Sequence, residues 1–278
     1  MLNYWWVTRP KRKLNSVPEV LAAFVELALN QEWQGQRESH LAYEEALEKA
    51  GLKRTGERRD QSGGGARTYK AWLASLGLIF KQESTGKIKL TLAGEAIMNG
   101  ESPVKVLTNQ VLKYQFPSSF SVGRGVQVAA RFKIHPFRFL LQMLADKRIG
   151  YLTEEEIAKI VITEAENESE RCYEHVVRRV LEFRDLGDSC LEQDFILKYQ
   201  PSKNGINLQH PYSHLLDVAN TIVNWMEYTQ LVKREPGKVT ILEEKIEEVE
   251  KILNAPSTFI DRPEQQEYFQ RRYGVDLN

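Results

Sequence analysis

Basic and amide side chains gather in one short stretch of the sequence. Residues 53–70 contain six basic residues against two acidic ones, a net charge of +4, although the whole chain is neutral. Arginine suits the major-groove edge of guanine, and glutamine suits that of adenine. Solvated loops often have this composition, but here it combines the side chain types that read base edges. The residues with this predicted role are Arg58, Arg59, Asp60, Gln61 and Arg67.

A second basic stretch opens the chain. Residues 1–13 begin with aromatic residues and carry four cations with no acidic residue, namely Arg9, Lys11, Arg12 and Lys13. An arm anchored by aromatic residues is suited to phosphates or a minor groove. A simple solvated start to the chain is an equally good interpretation of the sequence alone.

Catalytic motifs are missing from the sequence. A metal-dependent nuclease needs an Asp followed by Glu-x-Lys on neighbouring strands, and Glu243-Glu244-Lys245 lies in a predicted helix instead. Gly86-Lys87 and Gly237-Lys238 are not followed by Ser or Thr, so neither is a phosphate-binding loop. Cys172 with His175, and His210 with His214, lack the further ligands that zinc requires. We therefore predict no catalytic residue and no metal ligand.

The elements that must position the basic residues follow from the periodicity. We expect Gly63-Gly64-Gly65-Ala66 to be a loop, followed by a helix from Arg67 that Gly77 ends. Residues 78–92 then alternate apolar and polar side chains around a turn, as in a β-hairpin. Helix and hairpin in this order are typical of a winged helix, whose third helix reads DNA. Its predicted reading residues are Arg67, Thr68, Tyr69 and Lys70, with Lys87 in the hairpin, or wing.

The same pattern recurs later in the chain. Residues 228–241 repeat the hairpin sequence, after a helix that begins near Pro211. Polar residues precede and open that helix, where a reading helix would meet the DNA groove. Those predicted to contact DNA are Lys203, Asn204, Asn207, Gln209, His210, Tyr212 and His214. Phosphate contacts are also expected from the wing cations Lys89, Lys233 and Lys238.

The predicted fold is mainly α with small β-hairpin wings, in two tandem winged-helix (helix-turn-helix variant) subdomains. We expect a first subdomain with its basic arm at 1–116, a connection at 117–134, a second subdomain at 135–254 and a tail at 255–278. A helix over 39–50 should turn Leu41, Ala42 and Leu47 inward. Two cysteines imply no disulfide framework, and no apolar run approaches the roughly 20 residues of a membrane span. We expect a cytoplasmic, prokaryotic protein.

Several segments together resemble the N-terminal half of type IIS restriction and nicking endonucleases of the AlwI and MlyI kind. The similarity covers nearly the whole chain and depends on the order and spacing of its segments. They are Trp5-Trp6-Val7-Thr8-Arg9-Pro10, Lys89-Leu90-Thr91-Leu92-Ala93-Gly94-Glu95, Asn109-Gln110-Val111-Leu112-Lys113-Tyr114-Gln115-Phe116-Pro117-Ser118, Asp217-Val218-Ala219-Asn220 and Tyr228-Thr229-Gln230-Leu231-Val232.

This resemblance implies that two winged helices recognise a short asymmetric sequence in double-stranded DNA. It also implies a separate C-terminal cleavage domain that uses Mg²⁺, with a linker starting near Asn278. The reading loops depart from the family pattern, so individual base contacts do not transfer. The fragment should then be a monomer that does not cleave DNA, and its parent can dimerise through the cleavage domain. Two other functions fit the residues, a tandem winged-helix transcription regulator and a protein-interaction scaffold.

Overall fold

The structure is a computed structural model, which describes residues 1–55, 63–82, 84–118, 127–200 and 209–260. Arg58, Arg59, Asp60, Gln61, Lys203, Asn204 and Asn207 lie outside these ranges, as does the tail from residue 261. The chain divides into two units. The first is built on Thr8–Val111, and the second comprises Met1–Val7, Leu112–Pro117 and Val122–Phe259.

The first unit is a winged helix. Three helices precede an antiparallel hairpin, and an isolated β-bridge joins Glu32 to Lys87 beside the hairpin. In the hairpin, Ile79 lies opposite Leu90. The elements are α1 (Val17–Ala28), α2 (Arg37–Lys49), α3 (Gly64–Ser75), β1 (Ile79–Lys81), β2 (Ile88–Leu90), α4 (Leu92–Met98) and α5 (Pro103–Lys113).

The second unit repeats this topology with an insertion. Leu152 pairs with Val239 of its hairpin, as Glu32 pairs with Lys87 in the first unit. The elements are α6 (Pro136–Ala145), α7 (Glu154–Glu156), a π-helical turn (Ile157–Val161), α8 (Ile162–Glu164), α9 (Glu170–Leu186), a 3₁₀ turn (Gly187–Cys190), α10 (Phe195–Lys198), α11 (Ser213–Tyr228), β3 (Val232–Glu235), β4 (Lys238–Ile241), a 3₁₀ turn (Glu243–Lys245) and α12 (Ile246–Asn254). The inserted segment spans α9 to α10, so α11 occupies the position of the third helix.

Equivalent residues confirm that the two units are diverged copies of one fold. Trp72 of α3 and Trp225 of α11 are both fully buried, and the residues five positions later, Gly77 and Gln230, both have a positive φ. Each hairpin closes alike, since the backbone N–H of Thr91 donates to Leu78 and that of Leu242 donates to Leu231. The predicted fold class is therefore correct.

The division of the chain differs from the expected boundaries at the N-terminus. Met1–Val7 group with the second unit, not with the first. The reason lies in their contacts: Leu2 pairs with Val128, and the Trp5 indole donates a 2.7 Å hydrogen bond to the carbonyl of Ala165. No helix among the described residues is long and apolar enough to cross a membrane.

Candidate nucleic-acid interface

The start of α3 is set by glycines that allow it to approach α2 closely. A side chain at Gly63 would place its Cβ 2.6 Å from the Cβ of His40, and one at Gly65 would lie 2.8 Å from a carboxylate oxygen of Glu44. Gly63 also has a φ of +72°, which favours glycine. The expected loop over residues 63–66 is wrong from Gly64 onward, because the helix already begins there and only Gly63 lies outside it.

A groove of about 570 Å³ lies beside this helix start. It is bounded by the basic arm, by the turn after α2 and by one face of α3. The residues that line it are Pro10, Lys11, Gly51, Leu52, Lys53, Arg54, Gly65, Thr68 and Tyr69. Three cations and two residues with hydroxyl groups thus line one concave surface of the first unit.

The three cations of the groove differ in their pairing. The Lys53 ammonium lies 2.6 Å from Glu44 and 3.0 Å from Glu48. Burial by itself would lower the pKa of Lys53, but the hydrogen bonds to these two carboxylates outweigh it and raise the pKa. Lys53 is therefore a structural cation. Among the described residues, Lys11 and Arg54 have no carboxylate partner, so they supply the positive charge that a phosphate would meet.

The predicted reading residues of α3 fall into two groups. Arg67 and Thr68 are exposed, and the Thr68 hydroxyl donates to the carbonyl of Gly64. Tyr69 is buried, with its hydroxyl donating to Leu52, so it supports the floor of the groove. Lys70 is partly buried, and desolvation, followed by the charge of Lys81, lowers its pKa to about 8.

The basic arm meets the groove through Pro10 and Lys11. Trp5 is fully buried in the second unit, whereas Lys11 is partly exposed and Arg12 and Lys13 are exposed. In the sequence, Lys53 and Arg54 contribute only to the local net charge, and neither is predicted to contact DNA. A stronger signal was available, since Arg54 follows directly after the turn at Gly51 that ends α2.

The wings differ in charge. In the first unit, the exposed Lys87 has no ion pair among the described residues, and Lys89 donates a 2.7 Å hydrogen bond to Asn30. In the second unit, Glu235 lies 2.9 Å from Lys233 and 3.4 Å from Lys238. These lysines lower the pKa of Glu235, through hydrogen bonds first and charge second. One carboxylate therefore offsets two predicted phosphate contacts.

Replacing Glu235 with Gln should increase affinity for every duplex alike, because both lysines are then available to phosphates. Each additional bound phosphate should steepen the slope of log K against log salt by about 0.9. Titrations between about 50 and 200 mM salt measure this slope. Glu250→Gln, on α12, is the matched control. Equal slopes for both variants would mean that the second wing does not contact DNA.

The start of α11 is held by contacts within the second unit. The predicted contact residue His214 bonds through Nε2 to the carbonyl of Tyr199 and packs its ring on Tyr4. The ring of Tyr212 lies 4.6 Å from the Lys159 ammonium. Gln209 and His210 are exposed at this end of the helix. Among the predicted contact residues that the structure describes here, Tyr212 and His214 are thus held by neighbours, and Gln209 and His210 are exposed.

Lys159 was not singled out by sequence, although it positions this helix start. It lies in the π-helical turn, is buried, and has its ammonium 2.7 Å from Asp188. Tyr212 packs on the same ammonium. The Lys159 side chain, which lies in the π-helical turn, therefore contacts both the inserted segment and the start of α11.

A larger pocket of about 1190 Å³ lies in the second unit, but four carboxylates share its lining with the cations, whereas no carboxylate of the described residues lines the groove of the first unit. Glu164 lies 2.8 Å from His175 and 3.2 Å from Arg179, and Lys198 lies 2.6 Å from Glu192. A polyanion gains less from cations that are already neutralised. Despite its smaller volume, the groove of the first unit is the better candidate for a DNA contact.

Two winged helices in tandem, one with a cationic groove at its third helix, define the class of protein as a double winged-helix, DNA-recognition architecture. Residues 74–277 match the AlwI restriction endonuclease family. The chain belongs to this family, which confirms the resemblance found in the sequence.

Among solved structures, the chain is similar to the BpuJ1 endonuclease binding domain, crystallised in complex with pyrene- and phenanthrene-modified DNA. The TM-score is 0.63 at 14% sequence identity, over 99% of this chain and 96% of that one. At this identity the likeness shows the fold. A search of curated proteins finds no match.

Proposed function

We propose that this chain is the sequence-specific DNA-recognition module of a type IIS restriction endonuclease, and that it reads a short asymmetric site. The cationic groove beside α3 is the observation that carries the proposal. It combines two cations that have no carboxylate partner among the described residues, Lys11 and Arg54, with the exposed start of a third helix. Phosphate contacts there would fix the register, and base contacts from the helix would supply sequence specificity.

Cleavage belongs, in this proposal, to a separate domain of the parent enzyme. Mg²⁺ in such enzymes needs clustered carboxylates, and among the residues described by the structure no group of three or more His, Cys, Asp or Glu could hold a metal ion. The proposal therefore assigns no Mg²⁺ site to the described residues. The chain incubated with its target duplex and Mg²⁺ should bind without cutting.

Selection of bound duplexes from a random library, at about 0.15 M salt, tests the proposal under substantial charge screening. Enrichment of one short non-palindromic sequence is the expected result. An inverted repeat, together with a dimer in light scattering, would instead indicate a transcription regulator. If no sequence is enriched and no duplex binds even at low salt, the result favours a protein-interaction scaffold.

Replacing Arg67 with Ala should relax discrimination at one base pair by about 1 to 3 kcal/mol. Arg67 is exposed near the start of α3, where an arginine can reach a guanine edge. Competition binding against single-base variants of the selected site measures the loss. Lys11→Ala is the comparison, since loss of a phosphate contact should weaken all sequences alike. If Arg67→Ala left both the affinity and the base preference unchanged, α3 would not be the reading helix of the first unit.

A further inference from the structure

The outer face of α11 carries two asparagines one turn apart. The inward face is apolar and buried, while Asn220 and Asn224 are partly exposed on the opposite side. Asn224 donates from Nδ2 to both the carbonyl and the Oδ1 of Asn220, each at 2.9 Å. The two amides therefore form one polar surface, aligned along the helix.

The internal repeat places Asn220 at a predicted reading position of the second unit, and Asn224 one turn further along the same face. Aligning Trp72 with Trp225, and Gly77 with Gln230, makes Arg67 equivalent to Asn220. The same alignment makes Ala71 equivalent to Asn224. Both copies thus turn these positions away from the core.

Side chains from two neighbouring elements hold the asparagine pair. Glu154, at the start of α7, accepts from Asn220 Nδ2 at 3.3 Å and lies 3.3 Å from an Arg234 nitrogen. Arg234 comes from β3 and occupies the position that Lys81 has in the first unit. Its Nε is buried and lies 3.6 Å from Glu227, and its terminal nitrogen donates to the backbone carbonyl of Asn220 at 3.5 Å. Glu154 therefore holds the Asn220 amide, and Arg234 holds both Glu154 and the backbone of α11.

The charge of this surface favours bases over phosphates. Glu154 and Glu227 flank Arg234, so the surface has no surplus of positive charge. Phosphates are held by cations, whereas an asparagine amide matches the N6 and N7 edge of adenine. The chemistry therefore fits an adenine-containing step in the major groove.

We propose that Asn220 and Asn224 are specificity-determining residues that read adenine for the second unit, with Glu154 and Arg234 as positioning residues. This inference rests on the proposed function and assigns the chemistry of a surface that the sequence did not identify. Within the described part of the chain, Asn224 bonds only to its own helix, so its replacement leaves Glu154 and Arg234 in place.

Duplex selection with Asn224→Ala and Asn224→Asp tests the inference on the full chain. Asn224→Ala should lower the preference for adenine at one position about 5- to 150-fold, with the other positions unchanged. Asn224→Asp should move the preference at that position toward cytosine, because a carboxylate accepts from the cytosine amino group. Asn254→Ala, at the end of α12, removes the same amide away from this surface and should leave the selected sequence unchanged.

Thermal unfolding of each variant identifies a folding defect. A structural role would change stability or lower affinity for all duplexes, with the preferred bases retained, and that result would overturn the inference while leaving the proposed function intact. If the wild-type chain enriches no sequence, both are overturned. Movement of the preference at one base pair, in a variant as stable as the wild type, is the supporting result.

Discussion

Replacing Lys70 with Met should stabilise the first unit by about 2 kcal/mol below pH 8. Lys70 is partly buried on α3, and no carboxylate pairs with it among the described residues. Desolvation, followed by repulsion from Lys81, lowers its pKa from 10.5 to about 8. The full shift corresponds to about 3 kcal/mol, which we reduce because the side chain retains some exposure to solvent. The equivalent residue of the second unit, Val223, is apolar and fully buried.

The pH dependence identifies the cause. Below pH 8 the folded protein must keep a charged, poorly solvated ammonium group, so the destabilisation is fully present. Between pH 8 and 10.5 the folded state releases the proton while the unfolded state keeps it, and stability of the wild type therefore rises with pH. The higher stability of Lys70→Met relative to the wild type should therefore disappear between pH 8 and 10.5. Urea unfolding at pH values from about 7 to 10 measures it.

Lys105→Met is the control, since Lys105 is exposed on α5. It should give no pH-dependent difference from the wild type. A constant stabilisation by Lys70→Met across the same pH range would contradict the argument, because only its apolar contacts would then matter. If Lys70 also contacts a phosphate, binding should restore its proton, and affinity of the wild type should fall as the pH rises above 8.

The wings and the two third helices could be predicted because their signals are local. Alternation on both sides of a turn rich in glycine or proline specifies a hairpin whatever packs against it. The apolar stripe of α11 likewise predicts a buried face, and Val218, Ile222 and Trp225 are indeed buried. Repetition of the unit made each assignment a check on the other.

Tertiary packing decided what the sequence did not predict. Leu41 and Ala42 were expected to face inward on α2, but Ala42 is exposed and Leu41 is partly exposed. The buried residues are instead His40, Tyr43, Glu44 and Leu47. His40 and Tyr43 join an aromatic cluster with Phe24 and Trp33, and Glu44 pairs with Lys53. Which residues of α2 are buried therefore depends on the side chains that pack against the helix, and not on the hydrophobicity of its own residues.

The candidate site shows the same limit. Sequence identified the basic composition around α3, and the structure adds that Tyr69 supports the groove while Lys53 is neutralised. In the second unit, the polar residues Tyr212 and His214 look like contact residues in sequence, yet both pack against neighbours. Whether a polar side chain is anchored or available depends on partners from distant segments, which no local spacing specifies.

Replacing Gly94 with Ala should destabilise the first unit by about 3 kcal/mol. Gly94 lies in the first turn of α4, where its N–H donates a 3.1 Å hydrogen bond to the Thr91 hydroxyl. An added Cβ would lie only 2.1 Å from the carbonyl oxygen of Leu78. That oxygen already accepts from the backbone N–H of Thr91, so it cannot move without opening the hairpin closure.

The consequence should extend from stability to binding, because the displaced carbonyl lies between α3 and β1. Thermal unfolding should show a melting temperature lower by more than about 10 °C. Gly100→Ala is the matched control: its φ of +88° is unfavourable for alanine, but no atom of the described residues lies within 4 Å of the added Cβ. The control should lose about 1 kcal/mol. Equal losses in the two variants would contradict the argument, because Gly94 has no positive φ and only the contact with Leu78 distinguishes it.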